Sequence, residues 1–158
     1  MSTDTVSISS QPPIVHRSFK YLASQFPDRY HNLVSEESHA PPYVQDVSLR
    51  EGEQVLGVYE NLPGSRIDSI VVTDLGLYVA RDLSWHYILY QDIERITLPL
   101  PVGRTIEERK RAADRIVLIL ASGQIVEIFV RGGTRDARGR VLSRDVYSFY
   151  MFLQKFGR

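Results

Sequence analysis

Apolar positions along the chain change their period twice. From Ile14 they fall at Val15, Phe19, Leu22 and Phe26, steps of four, three and four, which is one stripe of an amphipathic helix closed near Pro27. Between Tyr30 and Asp46 no period holds, and Glu36, Glu37, His39 and the Pro41-Pro42 pair make that stretch read as a linker or loop. After about Val47 the pattern becomes short apolar runs with turn residues between them. Strands are predicted over residues 54–59, 68–73, 77–80, 85–90, 93–98, 115–120 and 124–131, seven in all. Ile93 and Ile96 are the expected inward residues of the fifth, and Val126, Ile128 and Val130 share one face of the seventh. Pro99 and Pro101 end the fifth, and Ala121-Ser122-Gly123 is a hairpin turn. The charged connection 103–114 holds either a short exposed helix or an open loop.

The period then returns to helical. Ser143 is the expected N-cap, and Asp145 meets the positive end of the helix dipole. Val146, Phe149, Tyr150, Leu153 and Phe156 form a broad apolar face, and Gly157 follows as a stop. A helix of this length is marginal alone in water, so that face must dock, and the sheet is its expected partner. Residues 1–13, rich in Ser and Thr and ending in Pro12-Pro13, read as a disordered tail. The expected organisation is therefore a tail over 1–13, a helix and linker over 14–46, and a β domain over 47–158.

Seven short antiparallel strands followed by one helix describe a mainly β fold, an open barrel or sandwich capped by a C-terminal α-helix, with an extra helical segment before it. The gaps between strands are too short for crossover helices, which argues against a parallel sheet. An eight-stranded lipocalin-like barrel would need longer strands. The local wording adds a resemblance. Thr73, Asp74, Leu77 and Tyr78 form a strand-pair motif, and an aromatic strand ends in Tyr90, Asp92 and Ile93. Over about residues 50–156 this order resembles bacterial pleckstrin-homology (PH)-like and GRAM-like domains. The resemblance implies an interaction module. Phosphoinositide-binding PH domains carry their basic cluster around the first inter-strand loop, where this chain offers Arg66 alone.

Composition narrows the chemistry. The 158 residues are 43% hydrophobic and 24% charged, ordinary for a globular protein. Such a length buries roughly 68–70% of its unfolded surface, so folding needs no disulfide or metal staple. With no Cys, disulfides, thiolate zinc sites, iron–sulfur clusters and thiol catalysis are excluded. Residues 1–11 contain no Lys or Arg and precede no signal-peptide core, and no apolar run reaches membrane-spanning length. The expected location is cytoplasmic, with association at a membrane surface left open. The formal net charge of zero hides an asymmetry: residues 1–100 carry 7 Lys+Arg against 13 Asp+Glu, and residues 101–158 carry 12 against 6.

No catalytic constellation stands out. His16, His31, His39 and His86 lack metal-ligand spacing, and Glu107-Glu108 sits in a mixed-charge run that reads as a solvated face. No serine lies in a nucleophile-elbow context, and Gly132-Gly133-Thr134 matches neither nucleotide-binding glycine pattern. An enzyme is not expected, nor a cofactor. Trp85, the single Trp, reads foremost as core or cross-strand packing. The most suggestive chemistry is the Gly-rich stretch 131–144, where Arg131, Arg135, Arg138, Arg140 and Arg144 face one acid, Asp136. Guanidinium forks bind carboxylate and phosphate bidentately, so this loop is the first candidate clamp for an acidic partner or lipid head group. Arg66 and the helix residues Phe19, Leu22 and Phe26 are secondary candidates, the helix also offering a homo-oligomer seam. The expected function is non-catalytic binding of a protein or peptide partner, at this loop or at the open sheet edge beside the C-terminal helix. Anionic phospholipid binding is the alternative, and a small-ligand carrier a third. Nucleic acid is disfavoured by the acidic N-terminal half and the lack of any reading motif.

Overall fold

Branched and aromatic residues suit a pleated surface, and the strands form where those runs lie. A computed structural model describes residues 13–34 and 39–156, apart from the side chains of 141–143. Residues 1–12 of the expected tail, Glu36, Glu37 and Gly157 lie outside the described residues, while Pro13, its last residue, opens a helix. All strands pair antiparallel, in three sheets. The five-stranded sheet is a meander of β1 (Tyr30–Asn32), β2 (Val55–Tyr59), β3 (Ile70–Thr73), β4 (Gly76–Arg81) and β5 (Ser84–Leu89). The three-stranded sheet contains β6 (Ile93–Thr97), β7 (Arg115–Leu120) and β8 (Ile125–Phe129), in that order. A two-stranded ribbon of β9 (Gly133–Arg135) and β10 (Val141–Arg144) follows.

Each of the seven predicted strands is present, and β1, β9 and β10 are additional short ones, so the expected count is three too few. The sheets do not close into a barrel by strand pairing. Side chains bridge the gap instead. The Arg81 guanidinium donates to the Glu127 carbonyl, and the Asn61 amide donates to the Phe129 carbonyl at 2.7 Å.

The main core lies between the two larger sheets and the helices. Leu56, Ile70, Val72, Leu77, Val79 and Ile88 meet Ile93, Ile116, Leu118, Val126, Ile128 and Val130. The expected pairing of Ile93 with Ile96 holds because a register shift between Ile93 and Arg95 inserts an extra residue and brings both to the core side. Helix α1 (Pro13–Ser18) continues as a π-turn over Phe19–Ala23, α2 (Ile106–Arg111) caps on the Thr105 hydroxyl, and α3 (Asp145–Gln154) closes the core. Helix α3 buries Val146, Phe149, Phe152 and Leu153 completely, a wider face than expected because Phe152 belongs to it. Its N-cap position is Arg144, with no side-chain cap, so the expected Ser143 cap is one residue early; the Ser143 side chain lies outside the described residues.

Two expectations for residues 14–46 are corrected. The π-turn rotates the N-terminal stripe, so the core face is Ile14, Ser18, Leu22 and Phe26 while Phe19 stands 57% exposed. The stretch after it is not a linker. Tyr30–Asn32 pairs with β2, and a 3₁₀ turn over Pro42–Asp46 lies on the outer face of the same sheet. There Val47 packs with Val58, Val71 and Tyr78, and Tyr43, Val44, Trp85 and Tyr87 join them. Strands β2 to β4 are therefore buried on both faces, which is why they read as continuous apolar runs.

Candidate functional site

Alternation along β5 sends Trp85 and Tyr87 to the outer face and His86 and Ile88 to the core side. Tyr87 lies opposite Tyr78 of β4, and the two rings stack with centroids 4.2 Å apart. Trp85 stacks on Tyr43 of the covering segment at 6.1 Å. The Tyr78, Trp85 and Tyr87 rings line a groove of about 510 Å³, bordered by Asp46, Ser48, Arg50, Arg66, Leu83 and Ser84. The Arg66 guanidinium lies 4.7 Å from the Trp85 ring centre and the Arg50 guanidinium 5.1 Å from that of Tyr87. Arg66 is fixed by donating to the carbonyls of Asp82 and Ser84, both at 2.5 Å.

The floor is pinned from below by a buried carboxylate. Glu53 accepts hydrogen bonds from Thr73 (2.5 Å), Tyr78 (2.6 Å), Tyr87 (2.9 Å) and the backbone N–H of Arg50 (2.9 Å). Burial alone would raise its pKa, but these donors outweigh it and hold the carboxyl below the usual glutamate value. Burial and the adjacent Glu53 carboxylate push the Tyr87 hydroxyl up to about 12 and the Tyr78 hydroxyl higher still. Glu60 does the same at the other end of the cover, accepting from Tyr43 at 2.5 Å with His31 Nε2 at 2.8 Å. The groove is thus rigidly floored, with guanidinium groups on aromatic platforms. It has the parts to bind anions.

The stretch 131–144 is a hairpin, not a free loop. The Asp136 carboxylate accepts from the backbone N–H groups of Arg138 and Arg140, both at 2.9 Å, and Gly139 takes the left-handed turn position at φ 82°. Arg131 pairs with Asp68 at 3.0 Å, Arg140 with Asp136 at 3.4 Å, and Arg135 donates to the Gly139 carbonyl. Arg144 reaches back to the Ala113 carbonyl at 3.0 Å. These arginines are spread along a ribbon and largely committed to it; Arg138 alone has no side-chain partner among the described residues. The helix candidates separate too: Leu22 and Phe26 are buried in the main core and Phe19 is outside it.

The sequence reading singled out Arg66 and passed over Arg50, Glu53, Tyr78 and Tyr87 as site residues. The signal was the Trp85–Tyr87 alternation, which places two aromatics on one face of a strand. Among the described residues no group of three or more His, Asp or Glu is placed to hold a metal ion, and no helix is long and apolar enough to cross a membrane. Compared with protein-family models, curated proteins and solved structures, the chain matches none.

Proposed function

We propose that the protein is a non-catalytic interaction module on a PH-like scaffold, and that it binds an extended segment of a protein partner along β5. The observation that carries this reading is the free edge of β5 beside an aromatic-floored groove. The backbone N–H of Tyr90 donates to the Leu75 carbonyl, so hydrogen-bonded pairs alternate outward from there through Ile88, His86 and Ser84. Trp85 and Tyr87 therefore aim their main-chain groups away from β4, and among the described residues nothing pairs with them. An added strand would gain those hydrogen bonds and lay alternate side chains into the groove. The strand order with its closing C-terminal helix supports the PH-like scaffold.

Selection of displayed peptides on the intact protein, followed by amide hydrogen exchange with a selected peptide bound, tests the site. Protection gained at Trp85 and Tyr87 is the expected result. Protection confined to the 133–144 hairpin, or absence of any binder, overturns it.

A second reading, anionic membrane binding, is favoured by one feature. The β2–β3 and β4–β5 connections share one end of the sheet and expose Leu62, Ile67 and Leu83, the last completely, close to Arg66, Arg81 and Arg131. Sedimentation with phosphatidylserine vesicles over a salt series distinguishes it, because such binding weakens as salt rises. A carrier role has less to build on. Phe149, Phe152 and Leu153 fill the helix–sheet interface, and a hollow of about 370 Å³ opens at its end, beside Ile14, Leu89 and Phe156.

A further inference from the structure

We infer that the segment docking on β5 is acidic, with carboxylate-bearing side chains two residues apart. This rests on the strand-addition reading above and adds to it the chemistry of the occupant.

The argument is one of spacing. Side chains on one face of a strand recur every second residue, about 6.6–6.8 Å apart. On the outer face of β5 the residues with that spacing are Trp85 and Tyr87, and each carries its own guanidinium: Arg66 over the first, Arg50 over the second. The cations arrive from different parts of the chain, Arg66 from the β2–β3 connection and Arg50 from the segment that covers the sheet. A strand added beside β5 lies about 4.7–4.9 Å away, and its same-face side chains come level with Trp85 and Tyr87. Two of those side chains therefore stand beside the two guanidinium groups. Acidic residues at positions i and i+2 match this repeat. Residues at i and i+3 do not, because one of them points to the opposite face of the sheet.

The charge balance of the groove agrees. Asp46 is the one carboxylate among its lining residues, against Arg50 and Arg66. The Arg50 side chain makes no hydrogen bond or ion pair among the described residues, so its donors are not already spent on the fold. Stacking on aromatic rings holds both groups in place before the ligand arrives, which reduces the ordering needed on binding.

The test uses the intact protein and three synthetic peptides that share a β-prone Thr/Val background. One carries Glu at i and i+2, one carries Glu at i and i+3, and one carries Gln at i and i+2. Binding is read by the fluorescence of Trp85, the single Trp. The i, i+2 Glu peptide is expected to bind at least 10-fold tighter than either of the others at low salt, and that margin should shrink in high salt. Arg50→Gln should remove most of the margin between the i, i+2 Glu peptide and the Gln peptide. An unchanged urea midpoint for the variant keeps the comparison clean.

Equal binding of all three peptides, with strand protection retained at Trp85 and Tyr87, overturns the acidic chemistry and leaves strand addition standing. Binding of none of them overturns both. A margin that survives Arg50→Gln at full size also removes the proposed role of that residue.

Discussion

Glu53 is the residue on which the groove depends, and replacing it separates two consequences. Its carboxylate receives the hydroxyls of Thr73, Tyr78 and Tyr87 and the N–H of Arg50 while standing only 8% exposed. In Glu53→Ala the Arg50 N–H loses its acceptor inside the protein, and the Tyr78 hydroxyl keeps only the longer bond to the Ser48 carbonyl at 3.2 Å. Thr73 keeps the Gly76 carbonyl at 3.1 Å, and half-buried Tyr87 can turn toward water. Tyr78 keeps a weaker bond and Arg50 is exposed, so the loss is that of hydrogen bonds to a charged acceptor plus a small cavity, roughly 2–4 kcal/mol. For a chain of this size that lowers Tm by on the order of 10 °C. Glu53→Gln retains the shape and one acceptor. Tyr87 can then accept from the new amide and Thr73 keeps the Gly76 carbonyl, so the loss falls to about 1–2 kcal/mol.

The acid limb of stability carries the second consequence. The folded-state pKa of Glu53 lies below the unfolded value, so its stabilisation is complete above the ordinary glutamate pKa and fades as pH falls through the folded one. Urea unfolding followed by Trp85 fluorescence should show the gap between wild type and Glu53→Gln at full size at pH 7 and closing below about pH 4.3. A gap that stays constant from pH 7 to pH 3 would refute the ionised, hydrogen-bonded carboxylate. A Glu53→Ala loss under 1 kcal/mol would refute its place as the pin of the floor.

Other substitutions probe the rest of the frame. Asp145 has the opposite shift: burial raises its carboxyl above the usual range, despite the hydrogen bond from Tyr59 at 3.0 Å and Arg29 at 3.7 Å. Its ionised form is therefore a burden above that raised pKa. Asp145→Asn should cost less than 1 kcal/mol at pH 7 and gain on wild type as pH rises from 4, in urea titrations at several pH values. Gly57→Ala places a Cβ 2.2 Å from the Tyr30 ring, so it should destabilise by about 1–3 kcal/mol and speed amide exchange at residues 30–32. Leu22→Ala should cost about 2–5 kcal/mol and Phe19→Ser under 0.5 kcal/mol, measured by urea midpoint; equal losses would deny the rotation introduced by the π-turn.

Runs of branched residues made seven strands and the C-terminal helix legible, because each buries at least one face and its period follows. The covering segment was not legible. Tyr43, Val44 and Val47 show no period, since a 3₁₀ turn and an extended stretch lie across the sheet instead of within it. The hint was indirect: β2 to β4 are apolar on both faces, so something had to cover the outer one. The N-terminal stripe misled by one position because a π-turn adds a residue that a 3.6 period cannot foresee. The arginine hairpin misled differently. Charge density along the sequence is visible, but whether a guanidinium meets Asp68, a backbone carbonyl or solvent depends on neighbours distant in sequence.

The choice of β5 over the other edges follows from how each is defended. Exposed sheet edges invite unwanted pairing, and stable proteins blunt them with charge, proline, brevity or cover. Strand β1 is three residues long. Strand β6 presents Glu94 and Arg95 and runs into Pro99, and β8 has its Glu127 and Phe129 carbonyls occupied by Arg81 and Asn61. Strand β5 reads Ser-Trp-His-Tyr-Ile-Leu, with no Lys, Arg, Asp, Glu or Pro in it, and it is six residues long. Among the described residues its guards are Arg66, which also holds the Ser84 carbonyl at the start of the strand, and Arg50, both placed above its aromatic side chains. Of the four edges of the two larger sheets, β5 is therefore the least defended, and the acidic segment proposed above is the partner its two guanidinium groups would admit.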